Sequence, residues 1–417
     1  VIRNLPTSAA RIAHDISALA GITEPDRPYT RRAFTPTFLE GRQWLARRFK
    51  AAGLDVHIDP AGNLIGKRAG KTPGLGTIMV GSHSDTVPDG GRFDGIAGVA
   101  AALEVARTLA EHNIALDHDL EIIDFLAEEV SIFGVSCVGS RAISGTRPAE
   151  WLGRQSEGRT LAEAIGEVGG TARAELTRTD IVAFLELHIE QGLVLETENL
   201  DIGVVTAIAG ITRIEIALEG RADHAGTTPM GARRDALTAA ARVALAIERL
   251  ATGLAGGQFH FAATVGEFSM VPNAANVVPS RVAMLIDARA ERRDDMEDFL
   301  ARLRTELSDI AAGTGVAIAE PRVISDNMPA PCDRDVLAAL DAACAATGAR
   351  HRRMASGAGH DTAWMSRITR AAMIFVPCAG GRSHAPEESA EPEDIALGAA
   401  VLLDAVLRLD KDLQEKP

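Results

Sequence analysis

The chain has 417 residues, 46% of them apolar and 24% charged, and a formal net charge of −14. That length exceeds what one hydrophobic core ordinarily supports, so two domains are expected, and the composition is globular rather than fibrous or disordered. The acidic balance argues against a nucleic-acid partner or an anionic membrane surface, both of which need clustered Lys and Arg; no run reaches the roughly 18 unbroken apolar residues of a membrane span.

The opening stretch "VIRNLPTSAARIAHDISALAG" has no signal-peptide core and reads as an amphipathic helix. A second helix is predicted from Phe38 to Val56, where Leu39, Trp44, Leu45 and Phe49 share a face and Gly53 stops it. "GTIMVGSH" is a short apolar strand, "GIAGVAAALEVARTLAEH" a helix, and Asp119 to Glu129 a near-continuous apolar run of the kind covered on both faces. This order predicts a βαβ unit within an α/β sheet. From Gly203 onward the pattern changes to alternating strands and two long helices. Strand–helix–strand–strand–helix–strand over roughly 210 to 325 makes a separate α+β sandwich. Helix, strand and terminal helix then return. The expected architecture is therefore α/β: a large domain (residues 1–209 and 326–417) with a mixed, mostly parallel sheet flanked by helices, and an inserted smaller α+β sandwich domain (residues 210–325). The four cysteines are far apart and form no CxxC pair. A disulfide framework is not expected, and a reducing, cytoplasmic setting is.

Four apolar runs lead into acidic or imidazole side chains. "TIMV" leads to His83 and Asp85, "EIIDFLA" to Glu128 and Glu129, "IVAFLEL" to His188, Glu190 and Gln191, and "AAMIFVP" to His384. Sites in α/β sheets form beyond the carboxyl ends of the strands, so these groups, with Asp94, are candidates for one carboxylate/imidazole metal site. Singly each is unremarkable: a His-x-Asp is ordinarily a surface pair, and paired glutamates ordinarily mark a solvated helix face. A phosphate-cradling loop around Gly81–Gly98 is disfavoured, because no Gly-Lys-Ser/Thr follows and Asp85, Asp89 and Asp94 would repel phosphate.

With those residues in view, the sequence resembles the co-catalytic zinc aminoacylase/carboxypeptidase superfamily, and within it the amidase hydantoinase/carbamoylase branch. The matching stretches include "GSHSDTVPDGGRFDGIAGV", "FLAEEVSIFGVSCVGSRAISG", "ELHIEQGLVLE", "DHAGTTPMGARRDAL", "PNAANVVPS", "SGAGHDTAWM" and "IFVPCAGGRSHAPEE", from about residue 30 to 390. The resemblance implies two divalent ions, His83 and His188 serving one, Glu129 and His384 the other, with Asp94 bridging. Mixed His/carboxylate ligation suits Zn²⁺ first, with Mn²⁺, Co²⁺ or Ni²⁺ as alternatives. It further implies that Asp85 fixes the His83 tautomer, that Glu128 is the general base passing a proton from water to the leaving nitrogen, and that His224 binds the developing oxyanion. Asn276 and Arg289 would bind a substrate carboxylate, and Gln191 with the Gly357 and Gly359 backbone the amide or carbamoyl end. The implied substrate is a small carboxylate-bearing amide, first an N-carbamoyl-L-amino acid, then allantoate or another ureido acid, then an N-acyl amino acid; a dipeptidase and a metal-retaining binding protein are competing readings. The inserted domain would act as lid and homodimer contact. The chain departs from the family pattern at Val130, Ser131 and Ile132, at Cys378 and at Arg382, which bears on substrate shape.

Overall fold

The computed structural model describes residues 6–173 and 176–414, and within it the chain divides into two compact units. One comprises 1–206, 331–354 and 360–417, the other 207–330 and 355–359. The spacing of elements had put the boundaries at 209/210 and 325/326; the short 355–359 segment, which joins the smaller unit, carries no periodic pattern that would mark it.

The larger unit is built on a mixed sheet. Its strands run in the order Asp55–Ile58, Leu64–Arg68, Asp119–Phe125, Thr77–His83, Ile181–Ile189, Arg370–Val376, Ile202–Ile208. The four central strands, Asp119–Phe125 to Arg370–Val376, are mutually parallel, and antiparallel strands flank them. Thr77–His83 is buried along its whole length, which explains why these strands read as apolar runs rather than alternations. The connecting helix Ile96–Glu111 is buried at fourteen of its sixteen positions, from Ile96 to Leu109. Helices start where the side-chain chemistry allows. Thr35 accepts the Phe38 N–H at the head of Pro36–Ala51, with proline in its first turn, and Asp333 accepts two N–H groups at the head of Arg334–Thr347; both satisfy backbone donors that the helix itself leaves free. The N-terminal helix is Ala9–Ala20; the first five residues of that predicted helix lie outside the described residues.

The strand expected to run to Glu129 ends at Phe125. Ala127 adopts a left-handed conformation, φ 53°, which no strand accommodates, so Glu128 and Glu129 lie in the loop beyond the sheet edge.

The smaller unit is a five-stranded antiparallel sheet in the order Phe261–Val271, Arg281–Ala290, Gly210–Glu219, Ala317–Ile318, with Arg322–Asp326 also paired to Gly210–Glu219. Strict alternation puts Ile214, Ile216 and Leu218 with Val282, Met284 and Ile286 on one face, where Val243, Ile247, Phe299 and Leu303 of helices Ala236–Ala255 and Arg293–Thr314 cover them. Each such side chain contributes about 1.5–3 kcal/mol by leaving water. Among the described residues, no helix is long and apolar enough to cross a membrane.

Candidate metal centre

The parallel centre of the large sheet sends four chain segments out of one edge, and the candidate ligands sit on them. His83 closes its strand and His188 is the penultimate residue of its own. Asp94 lies in the glycine-containing turn before helix Ile96–Glu111. Glu129 follows Phe125, and His384 lies eight residues beyond Val376.

Donor atoms of His83, Asp94 and His188 all lie within 4.8 Å of one another, and so do those of Asp94, Glu129 and His384. Asp94 is common to both sets. Its Oδ1 is 3.5 Å from His83 Nε2 and 3.4 Å from His188 Nε2; its Oδ2 is 3.6 Å from His384 Nε2. Glu129 Oε1 is 3.2 Å from His384 Nε2. Glu128 turns to the other side, its Oε2 3.6 Å from His83 Nε2.

The donor set fits a pair of cations. Both imidazoles at the sheet edge commit Nδ1 to a backbone carbonyl, His83 to Asp85 O at 3.0 Å and His188 to Ile189 O at 2.9 Å. A neutral ring that donates from Nδ1 presents a lone pair at Nε2, and His83 Nε2 is buried with no hydrogen-bond partner among the described residues. It faces carboxylate oxygens at 3.5–3.6 Å. Two acceptors facing each other attract only through a proton or a cation between them. Gly95, at φ 66°, lets the chain pass the His83 ring, where a Cβ would come within 2.4 Å of it.

Charge is compressed here. Burial pushes the Glu128 carboxyl well above its ordinary range; His83 opposes this, and Glu129, Asp361 and Asp85 add to it. Burial also raises Asp94, but His188, His83 and His384 outweigh it and hold Asp94 well below the usual carboxylate range. The hydrogen bond that His384 donates to Glu129 raises His384 to about 9.

The sequence assigned Asp85 to the His83 ring. Its carboxylate is 3.6 Å from His83 Nδ1, outside good hydrogen-bond distance, because the Asp85 backbone carbonyl is closer. The carboxylate instead accepts the backbone N–H of Glu128 on Oδ1 and of Glu129 on Oδ2, each at 3.2 Å. Gln191, also left-handed at φ 56°, donates Nε2 to Asp94 Oδ2 at 2.6 Å, and its Oε1 is buried without a partner among the described residues. Four neighbours escaped the sequence reading of the centre. Cys137 Sγ lies 3.6 Å from Glu128 Oε1, the His360 ring is 4.6 Å from that of His188, and Ser383 and Glu388 bond around Asp94. All four stand inside quoted motifs, but nothing in their spacing marks them.

The remaining candidates belong to the smaller unit. His224 Nδ1 accepts the N–H groups of Gly226 and Thr227 at 3.0 and 3.2 Å, which puts the ring proton on the exposed Nε2 as a donor. Its segment bridges to Val277, and Asn276 O accepts the Ala225 N–H. Arg289 donates Nε to Asp287 Oδ1 and Nη1 to Gly357 O, both at 2.7 Å. Gly359 is exposed on the same loop as Gly357.

The model of peptidase family M20/M25/M40 matches residues 79–408. The chain belongs to that family. It is therefore a hydrolase of a family that uses divalent metal ions, and the two side-chain groups around Asp94 are the candidate ligands. This M20-family chain is 37% identical to an N-carbamoyl-L-amino-acid amidohydrolase of Paenarthrobacter aurescens, across 97% of its own length and 98% of the relative's. It is 36% identical to a ureidoglycolate hydrolase of Oryza sativa, across 95% and 84%. Among solved structures, an amidase of the hydantoinase/carbamoylase family from Burkholderia multivorans superposes with a TM-score of 0.91 at 36% identity, covering 97% of this chain and 98% of that one. The resemblance to the hydantoinase/carbamoylase branch is borne out by these relatives.

Proposed function

We propose that this protein hydrolyses the carbamoyl C–N bond of small ureido acids, N-carbamoyl-L-amino acids first and ureidoglycolate or allantoate next. The observation that carries the reading is the buried Asp94 carboxylate shared by two ligand triads, with Glu128 beside His83 and outside both. His83 and His188 would hold one ion, Glu129 and His384 the other, and Asp94 both. Zn²⁺ is the first choice, with Mn²⁺, Co²⁺ or Ni²⁺ as alternatives. When bound, such ions polarise the substrate carbonyl and make water acidic enough to attack near neutral pH.

Glu128 takes a proton from the attacking water as its oxygen bonds to the carbamoyl carbon, and delivers that proton to the leaving nitrogen as the C–N bond breaks. An amino acid and carbamate result, the latter decomposing to carbon dioxide and ammonia. His224 donates from Nε2 to the developing oxyanion, and its tautomer supports that role. Arg289, held by Asp287 and Gly357, offers its remaining N–H groups with Asn276 to the substrate carboxylate. Gln191, with the Gly357 and Gly359 backbone, takes the carbamoyl end. The unpartnered Gln191 Oε1 favours a substrate whose far end carries N–H, as every ureido acid does and an N-acyl group does not. Pairing of two copies through the smaller unit belongs to the same reading, and its edge strand Phe261–Val271 exposes Phe268 and Val271. The four buried free thiols suit the cytoplasm.

The test is a panel of carbamoyl, formyl, acetyl, ureidoglycolate, allantoate and dipeptide substrates offered to metal-reconstituted protein, scoring ammonia and amine release. Ureido acids should be turned over, and Glu128→Gln should abolish turnover while keeping both ions. Hydrolysis of dipeptides alone, or of nothing, defeats the proposal.

A further inference from the structure

Glu388 is a fully buried carboxylate that the chemistry above does not use. A buried carboxylate is costly unless hydrogen bonds replace its water, and the bonds it receives here all lead to Asp94. Oε1 accepts the backbone N–H of Phe93 at 2.7 Å and of Asp94 at 3.0 Å. Oε2 lies 2.8 Å from Ser383 Oγ, and Ser383 Oγ lies 2.7 Å from Asp94 Oδ2; the single hydroxyl proton serves one of these oxygens at a time, so Ser383 holds Asp94 when it donates to Oδ2. Asp94 is thus gripped twice, at its own N–H and at one carboxylate oxygen, by a loop that also carries His384. The opposing chain makes room for this. Gly91 crosses directly over the Glu388 carboxylate, and a Cβ there would come within 2.0 Å of it. Glycine at 91 is required by Glu388, not by a turn conformation; its φ is not among the positive values.

We propose that Glu388 and Ser383 are positioning residues that lock Asp94 in the orientation in which it serves both ligand triads. The proposal rests on the metal-ligand assignment above. Asp94 has two free side-chain torsions, and a carboxylate that must face two ions at once tolerates little rotation about either. Without the lock, Asp94 Oδ2 keeps the Gln191 amide at 2.6 Å and turns toward it, away from His384. Because Asp94 belongs to both triads, both ions should be lost more easily, not only the one nearest Ser383.

The experiment is zinc titration of the metal-stripped full chain by chelator competition, on wild type, Glu388→Ala, Glu388→Gln and Ser383→Ala. Circular dichroism and the melting midpoint of the stripped chain report folding. Partners of metal ligands are typically worth 10–100-fold in affinity, so Glu388→Ala should weaken both zinc constants about 10–100-fold. Glu388→Gln keeps the acceptor for the two backbone N–H groups and should recover most of that. Ser383→Ala, which removes one hydroxyl, should fall between them. Gly91→Ala should weaken zinc binding in wild type and add little to Glu388→Ala. With Mn²⁺, the paramagnetic resonance spectrum of wild type should show an exchange-coupled pair, and Glu388→Ala isolated ions. Glu388→Ala and Ser383→Ala variants that fold, keep wild-type zinc constants and show a coupled manganese spectrum would overturn the proposal. If Glu388→Ala does not fold, Ser383→Ala decides it on the same criterion. Neither titration nor spectrum needs substrate. Wild type that holds two ions but hydrolyses no ureido acid would overturn the substrate reading and leave the lock standing.

Discussion

Replacing Asp85 separates two accounts of why an aspartate follows His83 by two residues. If its carboxylate serves the His83 ring, asparagine should substitute well, since an amide oxygen also accepts from Nδ1. The structure makes a different demand: Asp85 is buried, and its two oxygens each accept one backbone N–H, from Glu128 and from Glu129. The amide of Asp85→Asn could satisfy one of these and would present an NH₂ group to the other, setting donor against donor. A bond to an ionised acceptor is worth about 1.5–3 kcal/mol, so the pair contributes about 3–6 kcal/mol, part of which water would recover in Asp85→Ala. Expressed in the placement of Glu128, a net 2–4 kcal/mol is about 30- to 1,000-fold in kcat/KM. Asp85→Asn and Asp85→Ala should therefore be impaired alike in kcat/KM at saturating metal, measured on the best ureido substrate, and both should lower the melting midpoint. An Asp85→Asn variant that behaves as wild type would refute the reasoning and return the carboxylate to the ring.

In the metal-stripped chain His384 is raised to about 9 through its bond to Glu129, against about 6.5 when unfolded. The stability from that pair is fully present below about pH 6.5 and lost as pH rises through about 9. The melting midpoint of the stripped chain should therefore fall across that window, read by a pH series of thermal scans. An ion entering the same triad must displace that proton, so its dissociation constant should drop about tenfold between pH 7 and 8, read by chelator competition. Asp124→Ala leaves the Arg42 guanidinium, bonded to it at 3.0 Å, buried without its counter-charge, and should cost about 3–5 kcal/mol in a denaturant titration. Arg289→Lys keeps the charge but loses the planar fork that bonds Asp287 and Gly357. It should raise KM at least tenfold with little change in zinc content.

The sheet edge was legible because parallel strands are covered on both faces: "TIMV" and "AAMIFVP" are apolar throughout, "IVAFLEL" is apolar but for Glu186, and all three turn polar where they emerge. The smaller unit was legible for the opposite reason, the clean alternation of Gly210–Glu219 and Arg281–Ala290. The end of the Asp119–Phe125 strand was not, because Ala127 carries no hint of its left-handed backbone. Nor were the two backbone N–H groups that the Asp85 carboxylate accepts, since they come from residues more than forty positions away. Glu388 was hidden for a similar reason: its partners are mainly backbone groups nearly 300 positions away.

Of the five donors, Asp94 included, four are shut away and one, His384, has a side chain 49% open to solvent. Ligand exchange begins when water displaces a donor, so under the proposed two-ion ligation the two cations would leave at very different rates. A mild chelator would strip the His384 side within a short incubation and yield a half-loaded species, and a shortage of metal in the cell would reach this protein at that residue first.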